Sequence, residues 1–252
     1  ITECIENALE GEENLDCDLL IINTAMGHNF KELLIEAKKL SPGARIIGCT
    51  CSGIIGKEGP EESMKALAIM AIKGAKNDFV IAGMNSIDNL DSYLVGRQVA
   101  TDLMNQNPKI NMVLCFLSLF LLNKDKFIEG IDSVFGSKVP LFGGVANDGM
   151  KFISDFEFLD DQVFEKGVVM LGIADPTLEL IGMANHGLEV VGDPFEVTES
   201  TDSFIHKLDG ETAWKAWMNK LGLPETTTPA EVKFANLAQK TPYECYNEYG
   251  SE

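Results

Sequence analysis

The sequence is poor in the groups that most enzyme chemistry needs. It has only three histidines, His28, His186 and His206. The six cysteines (Cys4, Cys17, Cys49, Cys51, Cys115 and Cys245) form no CxxC pair and no metal-ligand spacing with those histidines, so no metal is expected. P-loop, GxSxG, HExxH and GxGxxG patterns are all missing. That removes the common signatures of nucleotide binding, serine hydrolysis, zinc proteolysis and dinucleotide binding. Basic residues are scarce: 20 Lys and Arg face 39 Asp and Glu, a formal net charge of −19. So negative a surface repels phosphate backbones and anionic lipid, which argues against nucleic-acid and membrane partners. The longest apolar run, Met112 to Leu122, falls short of the ~20 residues of a membrane helix. The chain opens at Ile1 with no starting Met and no secretory signal, from which a piece of a longer, cytoplasmic protein is expected.

What remains is an ordinary globular composition, 45% hydrophobic and 23% charged over 252 residues, ample for a buried core. Its strongest pattern is an internal duplication. Asp18 to Thr24 reads as a buried strand, Asn29 to Leu40 as a helix with Leu33, Leu34, Ala37 and Leu40 on one face, and Ala44 to Gly48 as a second strand. Lys65 to Lys73 and Phe79 to Met84 follow as strands, and Ser92 to Asn105 as a helix. The order returns with a strand inside Asn111 to Leu122, a helix over Lys124 to Phe135 and a strand over Val139 to Gly144. Gly167 to Ala174 and Leu178 to Met183 then read as strands, and Ser203 to Leu221 as a helix broken at Gly210. Gly48 and Gly143 lie 95 positions apart, Gly83 and Gly182 99 apart. The expected fold is α/β of the mixed α+β kind: two pseudo-repeated βαβββ halves packed as layered mixed sheets with helices outside.

Three stretches carry a family resemblance. Ala44 to Gly53 (ARIIGCTCSG), Pro140 to Asp148 (PLFGGVAND) and His186 to Trp214, ending in KLDGETA, occur in the order found in FIST domains. The chain resembles that family across residues 15 to 215, with Thr212 standing where the family pattern has proline. The resemblance implies a FIST N-terminal-like sensory domain over residues 1–205, its duplicated halves at about 15–105 and 108–221, and the start of a FIST C-terminal-like domain over 206–252. It also implies sensing of a small ligand, with amino acids the class usually proposed. Output would pass to a separate module such as a histidine kinase, diguanylate cyclase or chemotaxis receptor.

The candidate ligand residues are the two loops of the duplication. In Gly48-Cys49-Thr50-Cys51-Ser52-Gly53, glycines let backbone approach a ligand and hydroxyls meet its polar groups; alternatively the small residues only allow close packing. In Gly143-Gly144-Val145-Ala146-Asn147-Asp148, Asn147 and Asp148 are placed to accept from an ammonium group, or to make a turn. The two loops are expected to face one cleft. His186, just after an expected strand, is either a structural residue, a ligand contact or an axial ligand to haem, which some FIST-like sensors are reported to use. Otherwise no cofactor is expected, and no catalytic residue. The enzymatic alternative, a thiol hydrolase, needs Cys51 beside His186. A protein-interaction scaffold without a small ligand is the other reading. The Glu61-Glu62 and Asp160-Asp161 pairs read as solvated loops.

Overall fold

The apolar run at Asp18 to Thr24 becomes the inner strand of a sheet, and most of the first half organises around it. In this computed structural model, which describes residues 1–10, 15–74, 76–121, 123–137, 139–149, 151–182, 193–201, 204–232, 246–247 and 250–251, the chain divides into two units, Ile1–Ala184 and Asn185–Glu252. The boundary read from the sequence lay later, at residue 205.

In the first unit a short helix, α1 (Thr2–Ala8), precedes strand β1 (Leu19–Thr24), helix α2 (Phe30–Leu40) and strand β2 (Arg45–Thr50). A small hairpin, β3 (Ile54–Gly56) and β4 (Gly59–Glu61), leads to β5 (Leu67–Ile72), β6 (Phe79–Met84) and helix α3 (Ser92–Gln106). The second half runs β7 (Met112–Leu117), α4 (Lys124–Phe135), β8 (Leu141–Val145), β9 (Phe156–Leu159), β10 (Gln162–Glu165) and β11 (Val168–Ile173). Two mixed sheets result, ordered β10-β9-β2-β1-β5 and β6-β11-β7-β8. The duplication is visible in the pairing. β1 takes β2 in parallel and β5 antiparallel, and β7 takes β8 in parallel and β11 antiparallel. Both connecting helices start on an asparagine cap: the Asn29 side chain accepts from the Glu32 N–H and the Asn123 side chain from the Lys126 N–H.

Strand alternation fixes the layers. Leu20 and Ile22 on β1 pack with Leu33, Leu34 and Ala37 of α2, while Leu19 on the same strand turns to the other side. There it joins Ile47, Phe79, Ile81, Val169 and Leu171 between the two sheets. Val99 and Leu103 of α3 and Phe127 and Ile131 of α4 cover the far face of the second sheet with Val113 and Met170. The unit is thus a four-layer stack, helices outside and two sheets face to face inside.

Three sequence expectations change. Residues 178–182 of the expected strand Leu178 to Met183 form no strand, and Met183 lies outside the described residues. The counterpart of β5 is β11, and its other edge is already taken by β6 from the first half. In the second unit the expected helix from Ser203 begins instead as strand β13 (Phe204–Leu208), paired with β12 (Val197–Thr201). Gly210 does not break a helix: Asp209 and Gly210 both have positive φ and form the tight turn from β13 to β14 (Glu211–Thr212). Helix α5 (Ala213–Lys220) starts only there. The hairpin β9–β10 has no counterpart among the expected strands, its four-residue strands carrying Glu157 and Glu165 among their aromatics.

Candidate functional site

The two loops of the duplication do come together, and they do so by bonding to each other. The Asn147 N–H donates to Thr50 O (2.9 Å). The Ser52 hydroxyl donates to Asn147 Oδ1 (2.6 Å), which also accepts from the Gly149 N–H (2.8 Å). Thr50, fully buried, accepts on its hydroxyl from the Phe156 N–H (3.1 Å). The first loop therefore ends β2 and staples it to the second half. Its glycine is a packing device: a Cβ on Gly48 would run into the Ile22 carbonyl of β1. Gly143 repeats this against the Cys115 carbonyl of β7, which explains why the two glycines recur at one offset. Gly53 is packed against Glu61 and Glu62, its Cβ position 3.1 Å from the Glu61 oxygen.

Asp148 is buried, and its carboxylate already accepts four backbone amides, from Lys151, Phe152, Ile153 and Ser154, at 2.7–3.2 Å. Burial opposes ionisation, but the four donors outweigh it and hold the carboxyl below the usual Asp range. Beneath it lie two acids that the sequence reading passed over. Asp155 accepts from the Ser118 hydroxyl (2.9 Å) and the Leu119 N–H (2.6 Å), and burial raises its pKa. Glu157 sits opposite Cys49 on β2 with no exposed surface. Its Oε2 accepts from the Gly167 N–H (2.7 Å), and its Oε1 has no partner among the described residues. Burial, reinforced by the nearby Asp155 charge, pushes the Glu157 carboxyl up to about 9, so at neutral pH it carries a proton. Only a near-alternation of acid and aromatic residues from Asp155 to Phe158 could have signalled these acids.

Cys49 and Cys51 are free thiols. Burial, then the Glu157 charge, raises Cys49 well above its ordinary value, and burial raises Cys51. Neither thiol has the depressed pKa of a nucleophile. His186 lies outside the described residues. Asp160 is not simply solvated, as expected from sequence: it pairs with Lys38 (3.0 Å) and Arg45 (3.1 Å) and accepts from the Ile46 N–H (3.1 Å).

A groove of about 320 Å³ opens beside the second loop. Its floor is Cys115, Leu117 and Phe127, its rim Lys124, and its wall the strand β8 from Leu141 to Val145. Gly143 and Gly144 contribute bare backbone, and nothing lies within 4 Å of a Cβ placed on Gly144. Among the described residues, none of the first loop lines this groove. Lys124, Phe127 and Cys115 were read as helix and strand residues; that they share a groove with Gly144 follows from topology alone. Among the described residues no cluster of His, Cys, Asp and Glu could hold a metal ion, and no helix is long and apolar enough to cross a membrane.

No curated protein matches the chain. The family profile of the FIST N domain does match, over residues 18–211, a span that contains both loops, the buried acids and the groove. The chain belongs to the FIST family through its N domain.

Proposed function

We propose that this chain is the receiving module of a sensory signal-transduction protein, a binding domain and not an enzyme, whose small ligand sits in the groove beside β8. The FIST family is generally associated with sensory signal transduction. The observation that carries the site is a groove with an apolar floor, bare glycine backbone along its wall and a lysine at its rim. Such a groove suits a small apolar molecule with one anionic group. An amino acid with an aliphatic or aromatic side chain fits: its carboxylate meets Lys124 and its side chain covers Leu117 and Phe127. Relay to a kinase, cyclase or chemotaxis-receptor module is the proposed output. The protonated state of the thiols speaks against the hydrolase alternative.

A thermal-shift screen against the common amino acids tests the reading. A ligand at 100 times its Kd adds roughly 2.7 kcal/mol to the folded state, a clear rise in Tm. Lys124→Glu is the control, because the exposed Lys124 stands at the rim and reversing its charge removes the partner of the carboxylate. The hit should disappear in that variant while the unliganded Tm stays close to the native value. A hit that Lys124→Glu leaves intact would remove the groove from the account.

A further inference from the structure

Among the described residues, the two halves of the duplication differ at one sheet edge. In the first sheet the outer edge of β2 is closed. Ile46, Gly48 and Thr50 turn their backbone groups away from β1, and each is met by the second half of the chain. Asp160 N–H donates to Ile46 O (2.8 Å), Gly48 stands opposite Phe158, and Thr50 O accepts from Asn147. The closing strand, β9, runs antiparallel, and its Phe156 and Phe158 pack on Phe30, the first residue of α2, at centroid distances of 5.2 and 5.5 Å. The counterpart of β2 is β8. The Val113 N–H donates to Pro140 O and the Ala146 N–H to Leu117 O, so in this parallel register Phe142 and Gly144 also serve β7. Leu141, Gly143 and Val145, the counterparts of Ile46, Gly48 and Thr50, therefore turn their amides outward. Among the described residues β8 ends its sheet, with Phe142 44% and Val145 40% exposed.

The groove lies where the counterpart of Phe158 would sit, over Cys115 and Phe127. The counterpart of Phe30 is Lys124, the first residue of α4, so the place held by Phe156 in the first half faces a cation in the second. We propose that the outer edge of β8 accepts an extended segment of a partner protein as an antiparallel strand, with a large apolar residue opposite Gly143 and an acidic residue opposite Val145. Backbone pairing supplies the affinity and the two side chains the selectivity. The inference rests on the same groove as the ligand reading: strand and small ligand exclude one another, so ligand binding releases the partner. An open edge is also a hazard for a free chain, and the Lys124 ammonium at the rim favours an acidic residue of the visitor at that one position.

The test uses the peptide acetyl-Ser-Glu-Thr-Phe-Thr-Val-amide, fluorescently labelled, titrated against the whole chain and read by anisotropy. The Glu, Phe and Val of the peptide are the residues that pair with β8. Saturable binding is expected, weakened by at least about tenfold when the Phe nitrogen is methylated, since a strand hydrogen bond is then lost. Methylation of the Thr nitrogen before Phe, which faces away from β8, should leave the affinity within about twofold. Lys124→Glu should weaken the peptide, and Val145→Pro should abolish binding, because that amide gives β7 nothing but gives the visitor a donor. Hydrogen exchange guards against a misfolded variant: in the native chain alone the amides of Leu141, Gly143 and Val145 should exchange fast, and slowly with peptide bound. Equal binding of both methylated peptides, slow exchange of those amides without peptide, or a dimer of the chain that the peptide cannot dissociate would each overturn the proposal. Failure of the peptide with a surviving amino-acid hit would leave the ligand reading intact.

Discussion

At the scale of single residues, the buried acids carry the clearest predictions. Glu157 keeps its proton in the folded state up to about pH 9, while the unfolded chain releases it near the ordinary 4.5. The folded state thus binds more protons within that window, so this contribution to stability is whole below the lower value and is lost as pH rises through the upper one. Each pH unit inside the window is worth at most about 1.4 kcal/mol. Glu157→Gln, neutral at every pH, should flatten the fall of Tm between about pH 6 and 9 and be the more stable protein at the alkaline end. Parallel Tm curves for the two proteins would contradict a protonated Glu157. Asp148 has the opposite sign. Its lowered pKa means that its stabilisation is present at neutral pH and lost on acidification. Removing it leaves four amides without their acceptor, so Asp148→Ala should cost at least about 2 kcal/mol in denaturant unfolding, with Asp148→Asn between. An Asp148→Ala chain as stable as the native one would mean that those amides find water instead. The sequence marked Asp148 by its place in a recurring loop, but not what it does, because its partners are backbone groups whose identity leaves no trace in residue types. Glu157 was invisible for a related reason: a lone acid between two phenylalanines reads as a surface position until the sheet places it opposite Cys49.

At the scale of elements, glycines decide how closely the pieces approach. A Cβ on Gly96 of α3 would strike the Phe127 carbonyl of α4, and one on Gly130 of α4 would strike the Tyr93 carbonyl of α3. The two helices cross through this reciprocal notch. Alanine is the better helix former by up to about 1 kcal/mol in an exposed helix, yet Gly96→Ala should destabilise by about 2–3 kcal/mol through overpacking. A stabilised Gly96→Ala protein would show that the helices separate without cost. Elements with a strong period were legible: β1, α2, β7 and α4 lie where apolar spacing put them, within a residue or two. The hairpin β9–β10 was not, since four-residue strands with Glu157 and Glu165 among their aromatics give no alternation long enough to read. The Phe204 to Leu208 strand was taken for helix because Ser203 to Leu221 holds the place in the second half that Ser92 to Asn105 holds in the first.

At the scale of the molecule, the duplication is real but incomplete in its symmetry. Counterpart glycines, caps and strand pairings repeat at offsets near 95, as the sequence implied. The two loops, however, meet by hydrogen bonds, and among the described residues the first loop does not line the groove beside β8. Closure of β2 by β9, a strand from the other half, ties the halves together and leaves the groove to the second half alone. No spacing rule could have foretold that exchange, because it is a matter of which edge a short hairpin chooses. The account rests on the groove being where the small ligand binds. The most direct test is an amide-resolved NMR titration of the chain with the apolar amino acids. The account predicts saturable shifts clustered on Leu117, Lys124, Phe127, Gly143, Gly144 and Val145. Shifts clustered instead around Ser52 and Asn147, or none with any amino acid at about 10 mM, well above a millimolar Kd, would contradict it.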